Sequence, residues 1–273
     1  MPNVVSPKIK FCGICSPTDA EVSVEFGAQY LGLIFVKSSP RYIEPVAAQA
    51  ITASVQHKVQ VVGVFQDSSA EEMEGIASFV GLDYFQLHGN ESPALCKSLS
   101  KPVIKAFQVV YKSQAVDRSQ PVDESQPVER SVADQPCTTL SFSNLGVNKD
   151  VDNIVELLEQ YRPYCQHFLF DRPKKNFNSD WLDFASQSLA SVENQLGDYF
   201  LAGGLNASNI QRAMLRLSPA VVDIASGVEK TVRIKDKGLM AEFCSTLEAS
   251  RKDGKNNGSF SSSRGQVINE KHW

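Results

Sequence analysis

The sequence predicts a single (β/α)₈ barrel, the TIM-barrel form of the α/β class, on three observations. Short apolar, β-branched runs alternate with stretches of helical period, eight such pairs follow one another, and helix start signals recur at the same phase. An open doubly wound sheet usually has fewer strands and a glycine-rich first turn, which Cys12-Gly13-Ile14 does not supply.

The first strand is read at 8–14, KIKFCGI, followed by a helix at 17–26. Ser16-Pro17-Thr18-Asp19 fixes that boundary with a capping hydroxyl, a proline at the first helical position and an acid where the helix dipole favours it. Strands at 30–36 and 59–65 follow, with helices at 45–55 and 69–80, the former opening on Glu44-Pro45. The fourth strand, 84–89, leads into a helix at 92–99 that repeats the device with Ser92-Pro93. Strands at 103–109, 167–171, 199–205 and 221–227 complete the set, with helices at 151–162, 180–192, 208–217 and 238–249. Gly27, Gly81 and Gly197 stand where the chain leaves helices.

The barrel is assigned to residues 1–250, with two interruptions of rhythm. Residues 113–130 read SQAVDR, SQPVDE and SQPVER, a charged, proline-bearing hexapeptide with little to bury, so about 110–149 is expected to be a flexible insertion rather than a lid. The tail 251–273 is polar and Gly/Ser-rich and is expected to be flexible too.

A net charge of -4 and a pI near 5.7 argue against a surface built for nucleic acid or an anionic membrane, while a small anionic ligand stays compatible. No stretch has the roughly 18–20 apolar residues of a membrane span, and MPNVVSPKIK lacks a signal peptide's apolar core, so a cytoplasmic location is expected. Six scattered cysteines do not make a disulfide scaffold. Cys12 and Cys15 form a C-x-x-C, but no second half-site accompanies it, so no metal is expected.

In such a barrel the reactive groups come from strand ends and the loops after them. Those places hold Cys12, Arg41, Asp67, His88, Lys105, Asp171, Gly203-Gly204, Asp223 and Ser226-Gly227. A Cys12 thiolate near positive charge is a usable general base. Asp171, ending the run Phe168-Leu169-Phe170, is expected to be buried in an apolar setting as a candidate proton donor, or alternatively to serve as a helix cap or a partner of Arg172. His88 can orient a ligand or bond within the core, and Arg41 can fork two donors onto a carboxylate. The turns Gly203-Gly204 and Ser226-Gly227 let backbone N–H groups meet a phosphate, with Asn206 capping the helix between them.

The ordered motifs Lys10-Phe11-Cys12-Gly13-Ile14, Gly32-Leu33-Ile34-Phe35 with Ser39-Pro40-Arg41, Gly63-Val64-Phe65, Gln86-Leu87-His88-Gly89, Ile104-Lys105-Ala106, Ala202-Gly203-Gly204-Leu205, and Ser226-Gly227-Val228-Glu229 with Lys235-Asp236 resemble those of the phosphoribosylanthranilate isomerases. The resemblance covers nearly all of the barrel outside the insertion and tail. It implies an Amadori rearrangement of N-(5-phosphoribosyl)anthranilate in tryptophan biosynthesis, with no metal or organic cofactor. Cys12 would be the base, Asp171 the acid, Arg41 the partner of the anthranilate carboxylate and the two glycine turns the phosphate site. It leaves monomer and homodimer open and allows contact with other enzymes of the tryptophan pathway.

Two departures stand out. Where the family has a glycine-rich loop after the acid, this chain has Arg172-Pro173-Lys174-Lys175-Asn176 and so on to Trp181, and Thr231-Val232-Arg233-Ile234 lacks the usual glycine before Ile-Lys-Asp. The first motivates an alternative, a weak or silent barrel that still binds a sugar phosphate. A histidine-pathway isomerase is a third reading, against which Cys12 stands, since those enzymes resemble this one with Asp there.

Overall fold

The computed structural model describes residues 7–55, 57–112, 139–142, 154–172 and 193–256, together with Leu182 and Leu189. Eight parallel strands close into a barrel: β1 (Lys8–Cys12), β2 (Tyr30–Ile34), β3 (Gln60–Phe65), β4 (Tyr84–Leu87), β5 (Val103–Lys112), β7 (His167–Asp171), β8 (Tyr199–Leu201) and β9 (Val221–Ile224). The hydrogen-bonded order runs β4-β3-β2-β1-β9-β8-β7-β5, and a β4–β5 pairing completes the circle. Closure leaves no sheet edge on the barrel itself.

Helices α1 (Pro17–Glu25), α2 (Pro45–Val55), α3 (Ala70–Val80), α4 (Pro93–Ser98), α5 (Ile154–Tyr161), α6 (Glu193–Leu196), α7 (Ala207–Met214) and α8 (Lys237–Asn256) lie along the chain between and after the strands. The expected caps at Ser16 and Ser92 form, and Ser69 makes a third, each accepting a backbone N–H three residues on. Asn206 and Asn209 form a reciprocal box at the start of α7.

Several strands end earlier than expected, β8 at Leu201 rather than 205 and β9 at Ile224 rather than 227, and two elements run on further. β5 continues to Lys112 because Val109–Lys112 pair antiparallel with β6 (Thr139–Phe142), so a two-stranded ribbon frames the insertion. Helix α8 runs to Asn256 rather than stopping near 249, since no proline or cap interrupts Arg251-Lys252-Asp253. The hexapeptide segment, Lys174, Lys175, most of the 180–192 helix and residues after 256 lie outside the described residues.

Strand alternation sorts the core into two shells. Phe11, Leu31, Phe85, Phe107 and Phe170 face the helices in the larger cluster, whereas Tyr30, Val62, Ile104, Leu169, Phe200 and Val221 fill the barrel interior. The same alternation decides where the polar residues go. Cys12 shares the parity of Lys10, His88 that of Gln86, Asp171 that of Leu169, and Asp223 that of Val221, so all of these belong to the inward set. Among the described residues no helix is long and apolar enough to cross a membrane.

Candidate active site

Lys10, a fully buried lysine in the middle of β1, organises the floor of the site. Its ammonium donates to Asp223 Oδ2 at 2.7 Å and to Gln86 Oε1 at 2.8 Å. An ammonium can only donate, so the Gln86 oxygen faces Lys10 and the amide nitrogen faces His88 Nδ1, 3.4 Å away. With Nδ1 accepting, the proton sits on Nε2, which lies 3.2 Å from Asp171 Oδ2 without the alignment of a hydrogen bond to it. One chain of polar contacts thus runs Asp223, Lys10, Gln86, His88, Asp171, linking four strands across the barrel.

Cys12 sits beyond Lys10 on β1 and is 7% exposed. Burial pushes its thiol above the ordinary range, and the charges of Lys10 and Lys235 oppose that push, with Asp223 acting the other way. Burial likewise works against the charge on Lys10, but Asp223 and Cys12 outweigh it and hold the ammonium protonated. Asp223 keeps its second oxygen, Oδ1, buried with no hydrogen-bond partner among the described residues, leaving an acceptor for a ligand hydroxyl. Asp171 and His88 are close enough to Asp223 to act on it electrostatically.

Space for the thiol comes from β2. A Cβ on Gly32, the register partner of Cys12, would stand 2.6 Å from Cys12 Sγ and 3.1 Å from its Cα. Gly13, at φ +72°, does the same for Arg41, whose Cδ would lie 2.5 Å from a Cβ there. Glycine at both places lets Cys12 and Arg41 approach each other at the mouth.

Arg41 is not a loose surface cation. Its Nε and one terminal nitrogen donate to the two carboxylate oxygens of Glu229 at 2.8 and 2.6 Å, a fork that leaves its other N–H groups for a ligand. Glu229 is also 3.2 Å from Lys235, whose ammonium donates to the carbonyls of Cys12 and Ala225. Glu229 is partly buried, which disfavours its charge, yet Arg41 and Lys235 hold its carboxyl below the usual range. β10 (Glu229–Thr231) and β11 (Ile234–Lys235) form the small hairpin that carries this group.

Asp171 at the end of β7 is less buried than expected, its side chain 20% exposed. Its Oδ1 accepts from the backbone N–H of Arg172 at 2.7 Å, while Oδ2 faces His88. Both turns proposed for phosphate lie together: a Cβ on Gly227 would overlap the carbonyl of Leu205, so only glycine lets them pack. Gly203 and Gly204 adopt φ of +104° and +76°, and their N–H groups donate to nothing among the described residues. Asn206 and Asn209 hold the Gly204 carbonyl from the other side.

Other strand-end candidates are structural. Lys105 is wholly buried against Glu91 at 2.9 Å and the carbonyl of Gly89. Asp67 accepts from the Asn90 N–H and shapes the same loop. Cys15 donates to the carbonyls of Gly13 and Arg41, and it and Cys12 are free thiols. No cluster of metal-ligating residues is found among the described residues. Lys10, Gln86, Glu229 and Lys235 were read only as motif letters; a lysine at an inward position of an otherwise apolar strand was the available signal.

Fold and site define an enzyme of the (β/α)₈ class, with acid–base groups gathered at the C-terminal mouth. The chain belongs to the N-(5'-phosphoribosyl)anthranilate isomerase family: the model described as N-(5'phosphoribosyl)anthranilate (PRA) isomerase matches residues 9–141 and 141–246. A relative of that name from Geobacter sp. (strain M21) is 33% identical over 236 residues, covering 86% of this chain and 95% of its own. The solved phosphoribosyl anthranilate isomerase of Thermotoga maritima aligns with a TM-score of 0.68 at 27% identity, over 89% of this chain and 99% of that one. Another solved isomerase, in complex with reduced 1-(o-carboxyphenylamino)-1-deoxyribulose 5-phosphate, aligns at 0.65 and 26% over 89% and 99%.

Proposed function

We propose that this chain isomerises N-(5-phosphoribosyl)anthranilate to 1-(2-carboxyphenylamino)-1-deoxyribulose 5-phosphate, a step of tryptophan biosynthesis carried out in the cytoplasm. The observation that carries the mechanism is the placement of Cys12 and Asp171 at inward positions of β1 and β7, tied to one polar chain. Asp171 gives its proton to the ribose ring oxygen, the C1′–O bond breaks, and a Schiff base forms. The Cys12 thiolate takes the C2′ proton to leave an enolamine, which tautomerises to the ketone. No atom is gained or lost. His88 lies beside Asp171, its Nε2 3.2 Å from Oδ2, and Lys10 supplies the positive charge that favours the thiolate.

Arg41, held in register by Glu229, meets the anthranilate carboxylate with its free N–H groups. The N–H groups of Gly203 and Gly204, with the Ser226-Gly227 turn beside them, take the phosphate. The test is decay of substrate fluorescence with purified protein. Turnover above that of a Cys12→Ala control is expected, and its absence would overturn the assignment in favour of a silent sugar-phosphate barrel.

A further inference from the structure

We infer that Arg172 is a phosphate-binding residue of this chain. The inference rests on the reading of the Gly203-Gly204 turn as the phosphate site. Three guanidinium atoms of Arg172 lie 3.1, 3.1 and 3.3 Å from the point a Cβ on Gly204 would occupy. All three at nearly one distance describe a planar group laid against the turn. The absence of a side chain on Gly204 is what admits it.

The surroundings leave that cation available. Arg172 is exposed, and no carboxylate among the described residues pairs with its guanidinium. Its backbone N–H holds Asp171 Oδ1, so backbone and side chain of one residue reach toward the acid and the phosphate turn respectively. The turn itself offers N–H groups of Gly203 and Gly204 that donate to nothing among the described residues. An anion there meets these donors and a guanidinium fork at the same place, the combination that suits a phosphate dianion. Arg172 supplies a full charge and up to two directed hydrogen bonds beside the backbone donors of the turn.

The experiment compares wild type, Arg172→Ala, Arg172→Lys and, as a matched charge control at the opposite end of the barrel, Lys58→Ala. Removing a charge-assisted hydrogen bond is expected to raise KM about tenfold or more in Arg172→Ala, with kcat within about twofold. Arg172→Lys is expected to recover part of the loss, and Lys58→Ala to match wild type. Inorganic phosphate, titrated by calorimetry without substrate, is expected to bind correspondingly more weakly to Arg172→Ala. Unchanged KM and unchanged phosphate affinity in Arg172→Ala would overturn the role of Arg172. A wild type that binds phosphate yet lacks turnover would instead overturn the isomerase reading, with the calorimetric comparison still deciding on Arg172.

Discussion

Lys10→Met is the substitution that tests the site most severely, because it separates what Lys10 does for the fold from what it does for Cys12. Lys10 is wholly buried and Asp223 nearly so, and their 2.7 Å contact is the only pairing available to Asp223 Oδ2 among the described residues. Breaking a buried pair from one side costs about 3–5 kcal/mol, a large part of the roughly 5–15 kcal/mol that a domain has. The double variant Lys10→Met/Asp223→Asn removes both charges and is expected to regain most of that loss, since replacing a whole pair is close to neutral. Activity should not follow stability. Among the charges near Cys12, Lys10 favours the thiolate more than Asp223 disfavours it, so removing both still leaves the thiol higher. Each unit of upward shift leaves about tenfold less thiolate at a fixed pH below the pKa. The expected outcome is a double variant with near-wild-type urea midpoint, a thiolate absorbance titration displaced to higher pH, and kcat/KM at neutral pH reduced about tenfold or more. A double variant with wild-type kcat/KM, or a Cys12 titration unmoved in either variant, would refute the assignment of Lys10 as the charge that supports the base.

Four other outcomes are expected. Because burial raises the Cys12 thiol above its ordinary value, kcat/KM should still be climbing with pH through and beyond neutrality; a plateau already reached at about pH 6.5 would contradict this. Gly32→Ala places a methyl 2.6 Å from Cys12 Sγ and should cut kcat at least about tenfold while costing about 1–3 kcal/mol in a thermal melt, whereas an unchanged kcat would show the thiol free to move aside. Glu229 has its carboxyl held low, so its contribution to stability is present above its ordinary value of 4.5 and is lost as pH falls through the lower folded value. Glu229→Gln should abolish that acid limb in pH-dependent unfolding and raise KM by releasing Arg41; an unaltered limb would assign it elsewhere. Gln86→Leu removes the amide that sets the His88 tautomer and should lower kcat more than it raises KM, and a purely KM effect would make His88 a substrate contact instead.

Arg233 shows how a local rule, broken in the sequence, leads to a structural cause. The motif this chain resembles has glycine there, and Arg233 takes φ +77°, the left-handed conformation that a glycine adopts without strain. Strain at such a position costs on the order of 1–3 kcal/mol and needs something to hold it. Here the guanidinium donates to the carbonyl of Tyr42 at 2.6 Å, pinning the β10–β11 hairpin to the segment that carries Arg41. Arg233→Gly gives up the contact and the strain together and should leave the melting temperature nearly unchanged. Arg233→Ala keeps the strain and loses the contact, and should be the less stable of the two by about 1 kcal/mol.

That contrast also explains which parts of the molecule were legible beforehand. Alternation and caps determine where strands and helices start, because both are local, and so Ser16, Ser69 and Ser92 sit where their residue types require. Cys12 and Asp171 were legible for the same reason: a strand's parity and its C-terminal end determine that both reach the barrel mouth. The partners were not, since Lys10 meets Asp223 across 213 residues and Arg41 meets Glu229 across 188, and nothing local selects one carboxylate among 31. The burial of Asp171 was misjudged because a strand end faces the open mouth, where water reaches it. Its hold on position therefore comes from the Arg172 N–H and the neighbouring His88 rather than from enclosure. An acid held by contacts in a mouth open to solvent can be reprotonated from water between turnovers, which an enclosed carboxyl could not, and this is the condition an acid that spends its proton in every cycle has to meet.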